Sequence, residues 1–238
     1  MLYIIKKDNI YNVFFALFII LSICLNFNNP NQVTPASATY CNNKIIVIDA
    51  GHGYPDGGAV GNLGTSEKDL NLIISHKIGE YFIKSGAHVI YTRAGDNAIA
   101  SDLSKKIAEI KREDMKQRLL IRDSSNADLF ISIHMNKFSD PKYRGAQTFY
   151  DGELAESKMF AEYVQNSLIK NVDKDNKRES KDSKNSLYIL KNSKIPSILV
   201  ECGFLSNHYE EKMLLTEDYQ NKIAFAIFLG ATDFLAQK

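Results

Sequence analysis

His52, Glu67, His134 and Glu201 are the residues whose types could together run a hydrolysis. Two imidazoles and a carboxylate are a common ligand set for a catalytic zinc ion, with nitrogen and oxygen donors held at about 2.0–2.2 Å and a fourth position left for water. The ion draws the pKa of that water from about 16 toward about 7. On this reading His52, Glu67 and His134 hold Zn2+. Glu201 is the general base that takes the proton from the water and returns it to the leaving nitrogen. Asp49 or Asp56 is near enough in sequence to accept the second N–H of a ligating histidine and fix its tautomer. A side-chain nucleophile is not required, and neither a GxSxG run nor an activated-cysteine pattern occurs.

Each residue also has an ordinary role open to it. A lone histidine after a strand is more often structural than a ligand. A glutamate at a helix start more often serves the helix end, and a carboxylate after a buried strand often pairs with a cation. His76, His88 and His208 lie in polar surroundings and read as solvated. What separates the four from these is where the elements put them.

Three of them follow short apolar runs: 45–48 before His52, 129–133 before His134, and 197–200 before Glu201. Such runs read as buried strands. Strand ends in an α/β sheet gather at one edge, so residues far apart in sequence can meet there. Glycines flanking His52 supply the sharp turn that would aim its ring at that edge. The segment 51–64 carries six glycines and reads as a loop. Ser66-Glu67-Lys68-Asp69 has the capping-box pattern, which puts Glu67 in the first helical turn, where the helix dipole favours an ionised carboxylate.

The remaining elements alternate. Helices are expected from residue 66 to Gly86, over 102–126 with a break near Glu113 and Leu119, Leu120 and Ile121 turned inward, over 153–169, and over 219–236. Strands are expected over 44–48, 88–91, 129–133, 146–150, 187–190 and 198–200. The charge-rich stretch 173–185 reads as a loop that borders something functional or is simply mobile. The fold class is α/β, a single domain with a mixed sheet of about six strands flanked by helices on both faces.

Net charge is +1 with 24% charged residues, so nothing global asks for nucleic acid, and none is expected as a partner. Residues 1–40 read as a signal peptide or N-terminal membrane anchor and linker. Lys6 and Lys7 precede a short apolar core over 13–25, and Ala36-Ser37-Ala38 offers a cleavage site. Ile23 before Cys24 makes a poor lipobox. The expected product is an exported protein of the cell envelope whose N-terminal segment contacts the membrane if it is retained. Residues 41–238 form the catalytic domain, which is long enough to rest on its core without a disulfide framework. Cys41 lies at its ragged start, and Cys202 reads as a small buried residue.

Four ordered motifs resemble the zinc-dependent N-acetylmuramoyl-L-alanine amidases: Ile48-Asp49-Ala50-Gly51-His52-Gly53, Ser66-Glu67-Lys68-Asp69-Leu70-Asn71, Ser132-Ile133-His134-Met135-Asn136, and Leu199-Val200-Glu201-Cys202-Gly203-Phe204-Leu205-Ser206-Asn207. The resemblance spans 44–236. It implies zinc on His52, Glu67 and His134, catalysis by Glu201, and a mixed sheet of about six strands. Ala50 stands where that family usually has Pro, Tyr54 where Gly is common, and Cys202 in place of Val, Ile or Thr; none touches a ligand. Gly145-Ala146-Gln147-Thr148-Phe149-Tyr150, Tyr188-Ile189-Leu190-Lys191 and the absence of wall-binding repeats look most like the spore-cortex branch of endospore formers. That branch strips stem peptides from muramic acid on the way to muramic-δ-lactam, which germination needs. The implied partners are peptidoglycan glycan strands with stem peptides, and an accessory activating protein. Two alternatives accompany this reading: a zinc peptidase acting within the stem peptide, and a non-catalytic wall-binding module of the same fold.

Overall fold

The structure, a computed structural model, describes residues 40–238; the expected leader, apart from its last residue, lies outside the described residues. The chain runs β1 (Ile45–Ala50), α1 (Glu67–Lys84), β2 (His88–Tyr91), α2 (Ile107–Ser124), β3 (Leu129–Asn136), β4 (Gln147–Tyr150), α3 (Ala155–Asn171), β5 (Lys181–Asp182), β6 (Ser197–Phe204), α4 (His208–Leu214) and α5 (Glu217–Leu235). The sheet order is β2-β1-β3-β6-β4-β5. The strands β2, β1, β3 and β6 are parallel, β4 is antiparallel to β6, and β5 is parallel to β4. The expected mixed six-stranded α/β sheet is therefore present, and its central strands read as continuous apolar runs because both faces are covered.

Alternation along each strand divides the core in two. Ile46, Ile48, Ile131, Ile133, Ile198, Val200 and Cys202 pack with α1, α3 and α5 through residues such as Ile74, Phe82, Phe160, Val164, Ile227 and Phe234. Val47, Phe130 and Leu199 face the other way, against Ala127, Ile189 and Leu190. Cys41 is not ragged: it is buried in the larger cluster, its Sγ 3.9 Å from Thr232 Oγ1. Cys202 is buried as expected, and both thiols are free.

Several boundaries differ from the sequence reading. The second helix is unbroken at Glu113, and Leu120 is 59% exposed. The side chains that α2 buries are Ile110, Asp114, Arg118 and Arg122. No strand forms over 187–190; Ile189 and Leu190 are buried from a turn instead, with Ile189 O accepting from Arg122 Nη1 at 2.7 Å. The stretch 173–185 contributes β5 and is tied down, with Asn176 Nδ2 donating to Ala146 O and Arg178 Nε to Arg144 O, each at 2.8 Å. Ser66 makes no side-chain cap; its hydroxyl donates to Gly57 O at 3.0 Å, so it fastens the glycine loop to the helix start. Helix α4 was not anticipated. Asn207 caps it by accepting from Tyr209 N and Glu210 N. Among the described residues no helix is long and apolar enough to cross a membrane.

Candidate metal centre

The four residues singled out from sequence meet at the C-terminal edge of the parallel strands. His134 and Glu201 are register partners on β3 and β6, so their side chains leave the sheet on the same face. Neither follows its strand, as the apolar runs suggested; each lies within it, and the ladder slips between His134 and Asn136. His52 stands two residues beyond β1 in the left-handed region, with φ 62°. The turn expected of the flanking glycines is shared: Gly53 follows at φ 148°, and the histidine itself takes a backbone state uncommon for non-glycine residues and enriched for histidine. Two glycines are needed for space. A Cβ on Gly51 would run into the His134 ring, and one on Gly58 would sit 2.6 Å from Glu67 Oε2 and 2.7 Å from His52 Cδ2.

The donor atoms of His52, Glu67 and His134 all lie within 4.8 Å of one another. Glu67 Oε1 is 2.9 Å from His134 Nδ1 and 3.2 Å from His52 Nε2. Its other oxygen accepts from Ala59 N at 2.8 Å, which fixes the carboxylate plane. Asp56 Oδ2 lies 2.8 Å from His52 Nδ1 and 3.0 Å from Lys111 Nζ. Of the two aspartates considered from sequence, Asp56 therefore serves the imidazole, leaving Nε2 turned toward Glu67. Two nitrogens and one oxygen, packed this closely and oriented from behind, suit a single metal ion.

Charge follows from this packing. Burial pulls His52 toward the neutral form, but hydrogen bonds to Asp56 and Glu67 win and raise its pKa to about 9. Burial opposes ionisation of Glu67 and Asp56 too, yet their histidine partners hold both well below the usual carboxylate range. Glu201 has no such partner. Burial, augmented by the charge of Glu67 and opposed by His134 and His52, pushes its pKa up to about 7. Its Oε2 is buried without a hydrogen bond. A carboxyl poised near neutrality beside the three donors is suited to carrying a proton.

Behind these four lies a buried polar frame that the sequence reading missed. Arg118 donates Nε to Asp114 Oδ2 at 2.7 Å, Nη1 to Asp49 Oδ1 at 2.6 Å and to Ala50 O at 2.7 Å, and Nη2 to His52 O. Arg93 donates to Ala50 O at 2.8 Å and Gly51 O at 3.1 Å, and Asn71 Nδ2 to Gly51 O at 3.0 Å. The carbonyls of Ala50, Gly51 and His52 are each held, which is how a left-handed histidine stays in place. Asp49, the other aspartate considered for the imidazole, instead accepts from Arg118, Thr92 Oγ1 and Ser132 Oγ. The legible signal was Asp114, Arg118 and Arg122 at four-residue spacing on an apolar-poor helix. Farther along, buried Glu211 on α4 accepts from Asn62 N and Leu63 N at 3.0 Å each, pinning the far end of the glycine loop.

Residues 46–233 match the family model described as N-acetylmuramoyl-L-alanine amidase. The chain is 37% identical over 212 residues to the germination-specific N-acetylmuramoyl-L-alanine amidase of Bacillus subtilis, covering 89% of this chain and 88% of that relative. It is similar in structure to the CwlD amidase from Clostridioides difficile, solved in complex with the GerS lipoprotein, with 44% identity, TM-score 0.80, and 82% and 100% of the two chains covered. A second solved structure, the N-acetylmuramoyl-L-alanine amidase from Clostridium difficile 630, matches at 29% identity and TM-score 0.71 over 83% of this chain and 99% of that one.

Proposed function

The chain belongs to the N-acetylmuramoyl-L-alanine amidase family, and from that premise we propose that it is an exported zinc enzyme of spore-cortex peptidoglycan maturation. The bond cut is the amide between the lactyl group of N-acetylmuramic acid and L-alanine of the stem peptide. The role at the cortex rests on similarity to the germination-specific relative and to the CwlD amidase. The observation that carries the site assignment is the single Glu67 oxygen set between both imidazoles, with Glu201 beside His134 across the ladder.

In this proposal His52, Glu67 and His134 hold the ion. When bound, zinc supplies a Lewis acid that polarises the scissile carbonyl and makes water acidic enough to attack near neutral pH. Glu201 accepts the proton released as water attacks and delivers it to the departing alanine nitrogen. Its raised pKa fits both halves of that task, since a base must hold the proton and then give it up. Asp56 keeps His52 in one tautomer, and Arg118 and Arg93 keep its backbone from relaxing out of the left-handed state. Residues 1–40 serve as leader or anchor ahead of a catalytic domain over 41–238. An accessory lipoprotein is part of the proposal, because the similar CwlD amidase was solved with one.

The test is mass spectrometry of peptidoglycan digested by the purified protein, with and without zinc. Intact free stem peptides that appear only with the metal support the amidase. Shortened stems point to a peptidase, and intact muropeptides with zinc present to a silent wall-binding module.

A further inference from the structure

Beside Glu201, on the side away from the histidines, lies a cavity of about 380 Å³. Phe149 and Leu187 give it an apolar wall, Lys181 and Lys184 a basic one, and Ser183 and Glu201 polar points between them. Two buried polar atoms that lack a hydrogen bond belong to residues of this cavity: Glu201 Oε2 and Ser183 Oγ. Ser183 is only 6% exposed. A buried hydroxyl left unpaired costs stability unless something else satisfies it. Among the described residues neither Lys181 nor Lys184 has an ion-pair partner, although the chain pairs many of its other lysines.

The cavity wall is held in place. Asp182 Oδ1 accepts from Lys184 N at 2.8 Å and Gly152 N at 3.2 Å, so this carboxylate is engaged with the turn. Ser183 N donates to Tyr150 O at 2.8 Å, and Ser186 N to Ser183 O at 2.9 Å. Lys184 and Asn185 are both left-handed, at φ 47° and 62°. Two consecutive non-glycine residues in that region persist only where surrounding contacts impose them, and such sites cluster where ligands bind.

We propose that this cavity is the subsite for a carboxylate on the stem peptide, held by Lys181, Lys184 and the Ser183 hydroxyl. The inference rests on the amidase reading and identifies which part of the substrate fixes the register of the cut. Register across the sheet supplies the ruler. Glu201 pairs with Gln147 on β4, and Phe149, two residues along, pairs with Lys181 on β5. Two interstrand steps put β5 about 10 Å from β6. An extended peptide advances about 3.3–3.6 Å per residue. With the lactyl–alanine amide at Glu201, a carboxylate on the second or third stem residue therefore reaches the lysines, and the L-alanine methyl lies over Phe149 and Leu187. The α-carboxylate of a γ-linked D-glutamate at the second stem position has the right charge and reach.

Two muropeptides that differ only at that carboxylate, one free and one amidated, test the idea by kcat/KM. The wild-type protein is expected to favour the free acid by about fivefold to tenfold, the discrimination of a partly exposed charge-assisted contact. The K181Q/K184Q double variant is expected to lose that preference through a raised KM for the acid, and K184E to reverse it toward the amide. Equal wild-type rates on both substrates, or a preference that survives K181Q/K184Q, would overturn the subsite and leave the amidase intact. A wild-type protein that cleaves neither with zinc present overturns the amidase reading itself.

Discussion

On one face of the sheet, β1, β3 and β6 present Ile48, Ile131 and Val200 to α1, α3 and α5 in a predominantly apolar cluster. On the other, the same strands begin with Val47, Phe130 and Leu199 and end with Asp49, Ser132, His134 and Glu201, and α2 answers with Arg118 and Asp114. Apolar burial is non-directional and scales with area, so the first face can hold the sheet together without specifying where any one atom points. A catalytic edge needs the opposite. The carbonyls of Ala50 and His52 must face fixed directions, and only donors with defined geometry do that. The same strands thus provide stability on one side and aim on the other, with the change from apolar to polar occurring partway along each strand.

The sharpest way to break this contrast is at its chemical end. Glu201→Ala is expected to lower kcat by about 10²–10⁴ while the protein keeps its metal, the usual loss for a general base. His134→Ala is expected to lose activity and metal together, read by metal analysis after gel filtration. Near wild-type turnover in either would remove the polar edge from the mechanism.

Next is the frame. Arg118→Met strands Asp49 and Asp114 in a buried setting and is expected to destabilise by about 3–5 kcal/mol in chemical denaturation. Its counterpart on the apolar face, Ile131→Val, is expected to cost only about 0.5–1.5 kcal/mol. The decisive comparison is function: Arg118→Met should also weaken zinc binding, because His52 O loses its donor, whereas Ile131→Val should leave zinc affinity and kcat alone. If both variants touch stability only, the two faces do not divide the labour.

A smaller effect is expected at Asp56. With Asp56→Asn, the acceptor for His52 Nδ1 becomes a neutral amide, and zinc affinity should fall by about 10–100-fold in competition with a chelator. Because Asp56 helps raise the His52 pKa to about 9, zinc must displace a proton at neutral pH, and wild-type affinity should climb as pH rises toward that value.

The apolar face was the more legible of the two. Short continuous apolar runs located the central strands and helical periodicity most of the helices, because burial of apolar surface is what both patterns encode. The chemical residues were legible by type and by the motifs around them. What supports them was not. Of Leu119, Leu120 and Ile121, expected to face inward, Leu119 and Ile121 pack against the smaller cluster and Leu120 is exposed, but the buried row of α2 is Ile110, Asp114, Arg118 and Arg122, and a buried ion-pair row has no hydrophobic period to detect. Leu187 to Leu190 resembled a strand because a short apolar run does not say whether a ladder or a turn buries it. Ser66 carried the capping-box pattern but spends its hydroxyl on Gly57 O, a tertiary partner that local rules do not see.

The smallest predicted effect probes what the polar edge costs. Glu201 ionises near pH 7 in the folded protein against an ordinary value of 4.5, because its burial is uncompensated on Oε2. The folded state therefore binds this proton more tightly than the unfolded chain does. Above about pH 7 both states are ionised and the full penalty of a buried charge is present; as pH falls from about 7 to 4.5 the penalty is relieved, and below 4.5 it is gone. Glu201→Gln removes the titration. In metal-free protein it is expected to raise Tm at pH 8 by on the order of a few degrees, with the gap over wild type closing toward pH 4.5. Calorimetry across that range reads it directly. A gap that is absent at pH 8, or that does not close with acid, would mean that Glu201 is solvated like any surface carboxylate. A gap that closes on schedule would mean that this edge sacrifices stability to hold a base, which no residue of the apolar face has to do.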